Sequence, residues 1–407
     1  MSSSRMATHD AIIVGARCAG SSLALLLARR GHRVLLVDRA GFPSEIPHGH
    51  FIHRHGPRRL HQWGLLDRVA AVCPRVTAQT TDLGDFPLTG RDLVTEGIAF
   101  GYAPRRALLD KILVDAAVDA GAELRDRCVV EDYVTENDRL SGARMRSASA
   151  ERSVVERARV VIGADGRNSR LARYVGAATY EAEEPRTFWY FSYWQDVPDD
   201  GLEVYVRAGR VVFAFPTSDG LFGIFVGWRR QQLDRVRQAV EQETMSAIDA
   251  IPSFAERVRA GRRVERFLGA TDVPNFLRVP CGPGWALAGD AGCHKDPFLA
   301  LGICDAFRDA ERLAVAIDDG LSGRTDLDDA LRGYAIDRDA STLRDYRENL
   351  EAARLGPFPE ELMRLRAEIR GDSVATRAYY LARQQSSGGT RAAVRTATAG
   401  EREAARG

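Results

Sequence analysis

Apolar residues recur along this chain with two periods. Ala11 to Val14 is a short, mostly β-branched run, as in a buried strand. Leu23, Leu26 and Leu27 then follow at helical spacing until Gly31 ends the segment, and Val34 to Val37 is a second buried run. The pattern predicts one amphipathic helix over 57–69, with Leu60, Trp63, Leu66 and Val69 on one side. It predicts a partly β-like stretch over 92–100, then a helix from Arg105 with Leu109, Ile112, Leu113, Ala116 and Ala117 on its apolar face. Strands are expected over 123–134, 140–146 and 157–162. Four aromatic-rich strands alternate over 187–194, 201–208, 210–216 and 221–228, forming a separate antiparallel sheet. Most of its rings must be core; those on its second face are expected to line a flat apolar pocket. Helices at 235–251 and 252–260, a strand at 264–270 and a helix at 301–317 follow. From Thr325 the pattern is helical and charged, with a break at Gly356-Pro357-Phe358-Pro359 and a polar, fraying tail over 386–407.

Three strand ends carry candidate chemistry. The first is Gly15-Ala16-Arg17-Cys18-Ala19-Gly20, with Asp38 closing the next strand and Arg39 after it. Glycines at such a turn let the backbone approach a pyrophosphate. The helix behind it offers unpaired N–H groups, and an acid about 20 residues on binds ribose hydroxyls. The middle glycine of the usual fingerprint is replaced by Arg17, which crowds a pyrophosphate unless it points away. The second turn is Gly163-Ala164-Asp165-Gly166. The third is Gly289-Asp290, followed by Pro297, Gly302 and Ile303. Arg105 and Arg106 open a helix where positive charge opposes the macrodipole, which marks either a solvated end or a phosphate or adenine contact. His48, His50, His53 and His55 fit neither a helix face nor a zinc spacing, so they predict a loop passing near a cofactor and no metal site.

Composition narrows the classes. At 407 residues the chain has room for two or three domains, and a net charge of +1 gives no electrostatic case for nucleic acid or an anionic membrane. No apolar run approaches the roughly 18 residues of a membrane span. MSSSRMATHD has no apolar signal core, which predicts a cytoplasmic protein. The six cysteines form no CxxC pair, so reduced thiols are expected. Lys111 and Lys295 are the only lysines.

In order and spacing, the three turns resemble those of the group A FAD-dependent monooxygenases, the p-hydroxybenzoate hydroxylase fold. GARCAGSSLALLLARRGHRVLLVDR and GDAGCHKDPFLALGICDAFRDA are most similar to its bacterial branch near geranylgeranyl reductases and flavin halogenases. The resemblance implies an α/β chain with a Rossmann-like FAD-binding domain, an inserted antiparallel-sheet substrate domain and a helical C-terminal segment. The boundaries expected are 8–74, 100–182 and 276–350 for the first, 75–99 and 183–275 for the second, and 351–407 for the third. It implies that Gly15 to Gly20 and Arg106 meet the FAD phosphates or adenosine and that Asp38 takes ribose hydroxyls. Asp165 and Gly166 would serve the pyrophosphate and transient NADPH or NADH, Asp290 would hold the ribityl chain, and Pro297 to Ile303 would lie along the flavin ring.

The reaction so implied uses NADPH or NADH and O₂ to oxygenate an aromatic or polycyclic substrate through a flavin C4a-hydroperoxide, in secondary metabolism. His50, His294 and Lys295 are the candidates for a base or polarising group. A monomer or homodimer is expected. The alternatives are an alkene reductase of the geranylgeranyl type and a flavoprotein cyclase without net redox. A halogenase is disfavoured, because the family's WxWxIP signature and its lysine ahead of the substrate sheet have no counterpart here.

Overall fold

A computed structural model of the chain describes residues 9–53 and 55–385. The tail predicted over 386–407 lies outside the described residues. Five parallel strands run in the order Glu123–Arg125, Val34–Val37, His9–Val14, Val154–Gly163 and Trp285–Leu287. The beginning of Val154–Gly163 instead pairs antiparallel with Arg139–Ser147, which forms a hairpin with Cys128–Glu136. Alternation along the first strand explains the two layers. Ala11 and Ile13 pack with the helices Cys18–Ala28, Arg106–Asp119 and Gly302–Leu321, while Ile12 and Val14 pack with the hairpin residues Val130, Tyr133 and Met145. All three sequence turns leave the carboxyl ends of adjacent parallel strands, the edge at which open α/β sheets bind ligands.

The second large sheet follows the order Arg262–Arg263, Thr187–Gln195, Phe222–Arg229, Arg210–Pro216, Leu202–Arg207, Gln79–Asp82 and Pro87–Gly90. Its pairings are antiparallel apart from Leu202–Arg207 with Gln79–Asp82. Phe188, Trp194 and Trp228 face the helices Val240–Asp249 and Pro252–Ala260 as a closed core. Trp189, Phe191, Phe215 and Phe225 face the other way. There two late helices, Glu360–Glu368 and Ser373–Gln385, bring Leu362, Leu365, Tyr379 and Tyr380 over the sheet.

Three predicted elements break; one is the helix expected over 235–251, which divides at Ala239 (φ −146°) into Leu233–Gln238 and Val240–Asp249. The helix expected over 57–69 is two short ones, Gly56–Gln62 and Leu66–Ala70, because the chain turns through Gly64 at φ +71°, where glycine is favoured. The strand expected over 123–134 divides after Arg125, since Arg127 sits at φ +47° and the two halves join different partners. Among the described residues no helix is long and apolar enough to cross a membrane.

Candidate active site

The three turns and the inner face of the aromatic sheet open into one cavity of about 2450 Å³. Ordinary small-molecule sites span roughly 300–1,000 Å³, so the space accommodates a dinucleotide and a second molecule. Every residue expected to meet the cofactor or to act as a base lines it except Ala16 and Gly20, which stand behind the first turn; Gly163, Arg105 and His55 do not line it.

Gly15 and Gly20 are needed there for different reasons. Gly15 has φ +104°, and a Cβ on it would lie 2.3 Å from the Ala164 carbonyl oxygen. A Cβ on Gly20 would lie 1.7 Å from the Gly15 carbonyl oxygen, so this glycine lets the helix sit against the strand. Arg17 occupies an extended backbone (φ −104°) that any residue adopts. Its side chain turns aside, donating from Nη1 to Asp110 Oδ2 at 2.6 Å and from Nη2 to Ser44 Oγ at 3.0 Å. Asp110 is fully buried and also accepts from Arg106 Nη2 at 3.0 Å and Cys18 Sγ at 3.5 Å. Two guanidiniums thus share one carboxylate, leaving net positive charge beside a helix that has no side-chain cap and no acid in its first turn. Asp38 braces the turn, accepting from the Ala16 amide at 2.7 Å and the Ala40 amide at 2.8 Å. Each oxygen keeps acceptor capacity for a ligand. Arg39 is exposed at the rim.

Across the cleft, Gly166 has φ +79° and Asp165 Oδ2 accepts from the Arg170 amide at 2.7 Å. Burial raises the Asp165 carboxyl above the usual carboxylate range. Asp165 Oδ1, Tyr133 Oη and Arg167 Nε are buried without a hydrogen-bond partner on residues that line the cavity, so each has capacity for a ligand or an ordered water. Asp290 lines the cavity near His48, whose imidazole is held down to about 4 by burial first and then by Arg106, against the opposing pull of Asp290.

The segment after Asp290 is clamped from three sides. Asn349, 1% exposed, accepts from the Leu299 amide at 3.1 Å and donates to the Asp296 carbonyl at 2.8 Å. Asn275 Oδ1 accepts from the Asp296 amide at 2.7 Å. His53 Nε2 donates to the Leu299 and Ala300 carbonyls at 3.0 and 3.2 Å. Asp296 itself takes the Thr187 hydroxyl at 2.6 Å and the Phe298 amide at 3.1 Å, and burial pushes its carboxyl up to about 6. Beyond Ala300, in the left-handed region at φ 50°, helix Gly302–Leu321 begins with no side-chain cap and with open space in front of Gly302.

The three candidate bases differ in environment. His50 is 1% exposed; its Nδ1 must carry the proton donated to the Ala103 carbonyl at 3.1 Å, so Nε2 accepts from the Tyr193 hydroxyl at 2.9 Å. Burial holds its imidazole down to about 3, so it is a neutral wall residue with both nitrogens engaged. His294 donates from Nδ1 to the Pro274 carbonyl and stacks on Phe276 with centroids 5.8 Å apart. Lys295 is 2.5 Å from Asp305 with its side chain 6% exposed. Burial works against its charge, but Asp305 together with Cys293 outweighs it and raises its pKa, which favours the cation. Among the described residues no group of three His, Cys, Asp or Glu side chains could hold a metal ion.

The aromatic chamber adjoins the clamped segment, where Phe298 meets Phe213 edge-on at 6.2 Å. Trp189, Phe191, Phe215 and Phe225 form its sheet wall, and Leu362, Tyr379 and Tyr380 its helical wall. Asp110, Asn349 and the helical wall were not singled out from the sequence. Only Asp110 had a local signal there, its i+4 spacing from Arg106.

Residues 8–343 match the family model described as an FAD binding domain. The chain is 25% identical over 319 residues to the digeranylgeranylglycerophospholipid reductase of Methanosarcina acetivorans, covering 75% of this chain and 74% of that one. In fold it is similar to the flavin-dependent brominase Bmp2, with a TM-score of 0.76 at 18% identity over 98% and 99% of the two chains. It is also similar to Pseudomonas aeruginosa PqsL in complex with 2-aminobenzoylacetate, with a TM-score of 0.72 at 21% identity over 89% and 97%.

Proposed function

The chain belongs to the FAD binding domain family, an FAD-dependent oxidoreductase, and from that premise we propose that it is an NAD(P)H- and O₂-dependent monooxygenase acting on an aromatic or polycyclic small molecule. The carrying observation is the aromatic chamber set directly against the clamped Pro297–Ile303 segment. When bound, FAD supplies the redox chemistry, taking electrons from the nicotinamide and passing them to oxygen. The residues present fit that group. The uncapped start of Cys18–Ala28 would hold its pyrophosphate, with the net positive charge of Arg17, Arg106 and Asp110 beside it, and Asp38 would take ribose hydroxyls. The orphaned Tyr133 Oη, Asp165 Oδ1 and Arg167 Nε meet its polar atoms. Asp290 would hold the ribityl chain, and the uncapped start of Gly302–Leu321 would stabilise negative charge on the reduced ring. Asn275, Asn349 and His53 fix the segment against which the ring lies. The rings of the chamber stack on a flat substrate and exclude water.

A second reading, reduction of an isoprenoid alkene, is favoured by the similarity to the Methanosarcina reductase. Halogenation is less supported: Lys111 pairs with Asp115 on the surface and Lys295 is held by Asp305, so neither projects an unpaired amine between cleft and chamber. The test reduces the FAD-loaded protein with NADH or NADPH without oxygen, then admits air with an aromatic substrate panel or supplies prenyl alkenes under nitrogen. Oxygenated aromatic product in the first arm supports the proposal; saturation of the alkene with no oxygenation in the first arm refutes it.

A further inference from the structure

The chamber is apolar on most of its wall but not at the end formed by Gln79–Asp82 and Ser373–Gln385. Gln79 and Thr81 alternate along their strand, so both side chains face inward, and Gln79 Nε2 donates to Thr81 Oγ1 at 3.4 Å. The Tyr380 ring sits next to Thr81, with its hydroxyl donated to the Leu88 carbonyl at 2.7 Å. One helical turn on, Arg383 lines the cavity half-buried, donating from Nη1 to Tyr379 Oη at 3.0 Å with its guanidinium 5.4 Å from that ring's centroid. Among the described residues no carboxylate forms an ion pair with it. The acids elsewhere on the cavity wall are accounted for. Glu348 pairs with Arg344, Glu351 pairs with Arg354, and Glu361 is exposed.

A guanidinium held by a phenol, beside a hydroxyl and a primary amide, offers donors and no competing anion. The rest of the wall (Leu202, Val204, Phe191, Leu362) can bind only an apolar body. We infer that Arg383, with Tyr379, Gln79 and Thr81, forms a subsite for an anionic oxygen group, so that the substrate is an apolar ring system bearing a carboxylate or phenolate. This anchors the molecule by its far end and leaves its apolar part toward Phe213 and Phe298. The inference rests on the aromatic reading for the body of the substrate and on Arg383 for the head.

The test uses the full-length FAD-loaded protein and three probes: 2-naphthoate, its neutral analogue 2-acetylnaphthalene, and geranylgeranyl phosphate. Binding is followed by perturbation of the flavin absorbance and quenching of tryptophan fluorescence. The expectation is that 2-naphthoate binds roughly tenfold more tightly than 2-acetylnaphthalene, the scale of one charge-assisted contact. Arg383→Gln should erase that preference while leaving the neutral probe within about twofold, and Arg383→Lys should retain part of it. Thr81→Val with Gln79→Leu should lower it without abolishing it. Unchanged FAD content and melting temperature show that each variant is folded. Equal binding of the two naphthalenes, or a preference that survives Arg383→Gln, overturns the subsite. If only geranylgeranyl phosphate binds, in an Arg383-dependent way, the anionic subsite stands and the aromatic reading falls.

Discussion

Replacing Arg17 by glycine restores the residue that the dinucleotide fingerprint normally carries, and a motif-based argument expects tighter FAD binding from it. The geometry predicts the reverse. Arg17 turns away from the turn to share Asp110 with Arg106, so the wild-type trio carries one net positive charge and Arg17→Gly reduces it to zero. At an effective dielectric of about 20 a unit charge attracts a phosphate by about 4 kcal/mol at contact and by roughly 2 kcal/mol at twice that separation, which bounds the loss for a side chain turned aside. The Arg17 side chain is 24% exposed, and solvent and salt screening reduce the figure to roughly 1 kcal/mol, or about fivefold in affinity. Apoprotein titrated with FAD, followed by flavin fluorescence at low and at moderate salt, should give that weakening and a shallower salt dependence in the variant. Asp110 keeps Arg106, so the apoprotein should remain folded. Unchanged or tighter FAD binding at both salt concentrations would refute the charge argument and leave the missing glycine as the dominant effect.

Other expectations follow from the clamp and the buried titrating groups. Asn349→Ala orphans the Leu299 amide and the Asp296 carbonyl and should lower stability by roughly 2–4 kcal/mol and speed FAD release; urea midpoints and dissociation kinetics check it, and wild-type values in both would mean the clamp is idle. Tyr133→Phe removes a buried hydroxyl without a partner, so apoprotein stability should hold or rise slightly while FAD binding weakens; weakened apoprotein with unchanged FAD binding would contradict the assignment. His50 is held down to about 3, so the stability it contributes is complete above pH ~6.5 and falls by roughly 1.4 kcal/mol per unit as the pH drops toward its folded value. Asp296, raised to about 6, has the opposite sign: its contribution is complete below pH ~3.9 and is lost as the pH rises through 6. Asp296→Asn should therefore steepen the loss of stability between pH 6 and 4; identical urea profiles over that range would exclude this linkage.

The first turn was legible because its demands are local. Gly15 and Gly20 stand where a Cβ meets backbone atoms, and Asp38 closes the neighbouring strand. The alternation in Thr187–Gln195 likewise separated chamber-facing Trp189 and Phe191 from core-facing Phe188 and Trp194. Arg17 stands out in the sequence as a departure because its partner Asp110 lies 93 residues away, a distance no local period reports. His50 looked like a base because burial and its bonds to Ala103 and Tyr193 are tertiary facts. The partner of Lys295 was equally hidden, since Asp305 meets it only once the segment folds against Gly302–Leu321. The late helices read only as helical and charged, so their part in the chamber wall emerged only from the packed structure.

The most direct test of the central claim follows oxygen. FAD-loaded protein is reduced with NADPH or NADH under nitrogen, mixed with aromatic acids and exposed to ¹⁸O₂, and the products are weighed by mass spectrometry. A monooxygenase gives a bleached flavin band, its return on oxygenation, and one ¹⁸O atom in the aromatic product. A flavin that reduces and reoxidises while no aromatic product gains ¹⁸O, with prenyl alkenes saturated instead under nitrogen, would contradict the claim.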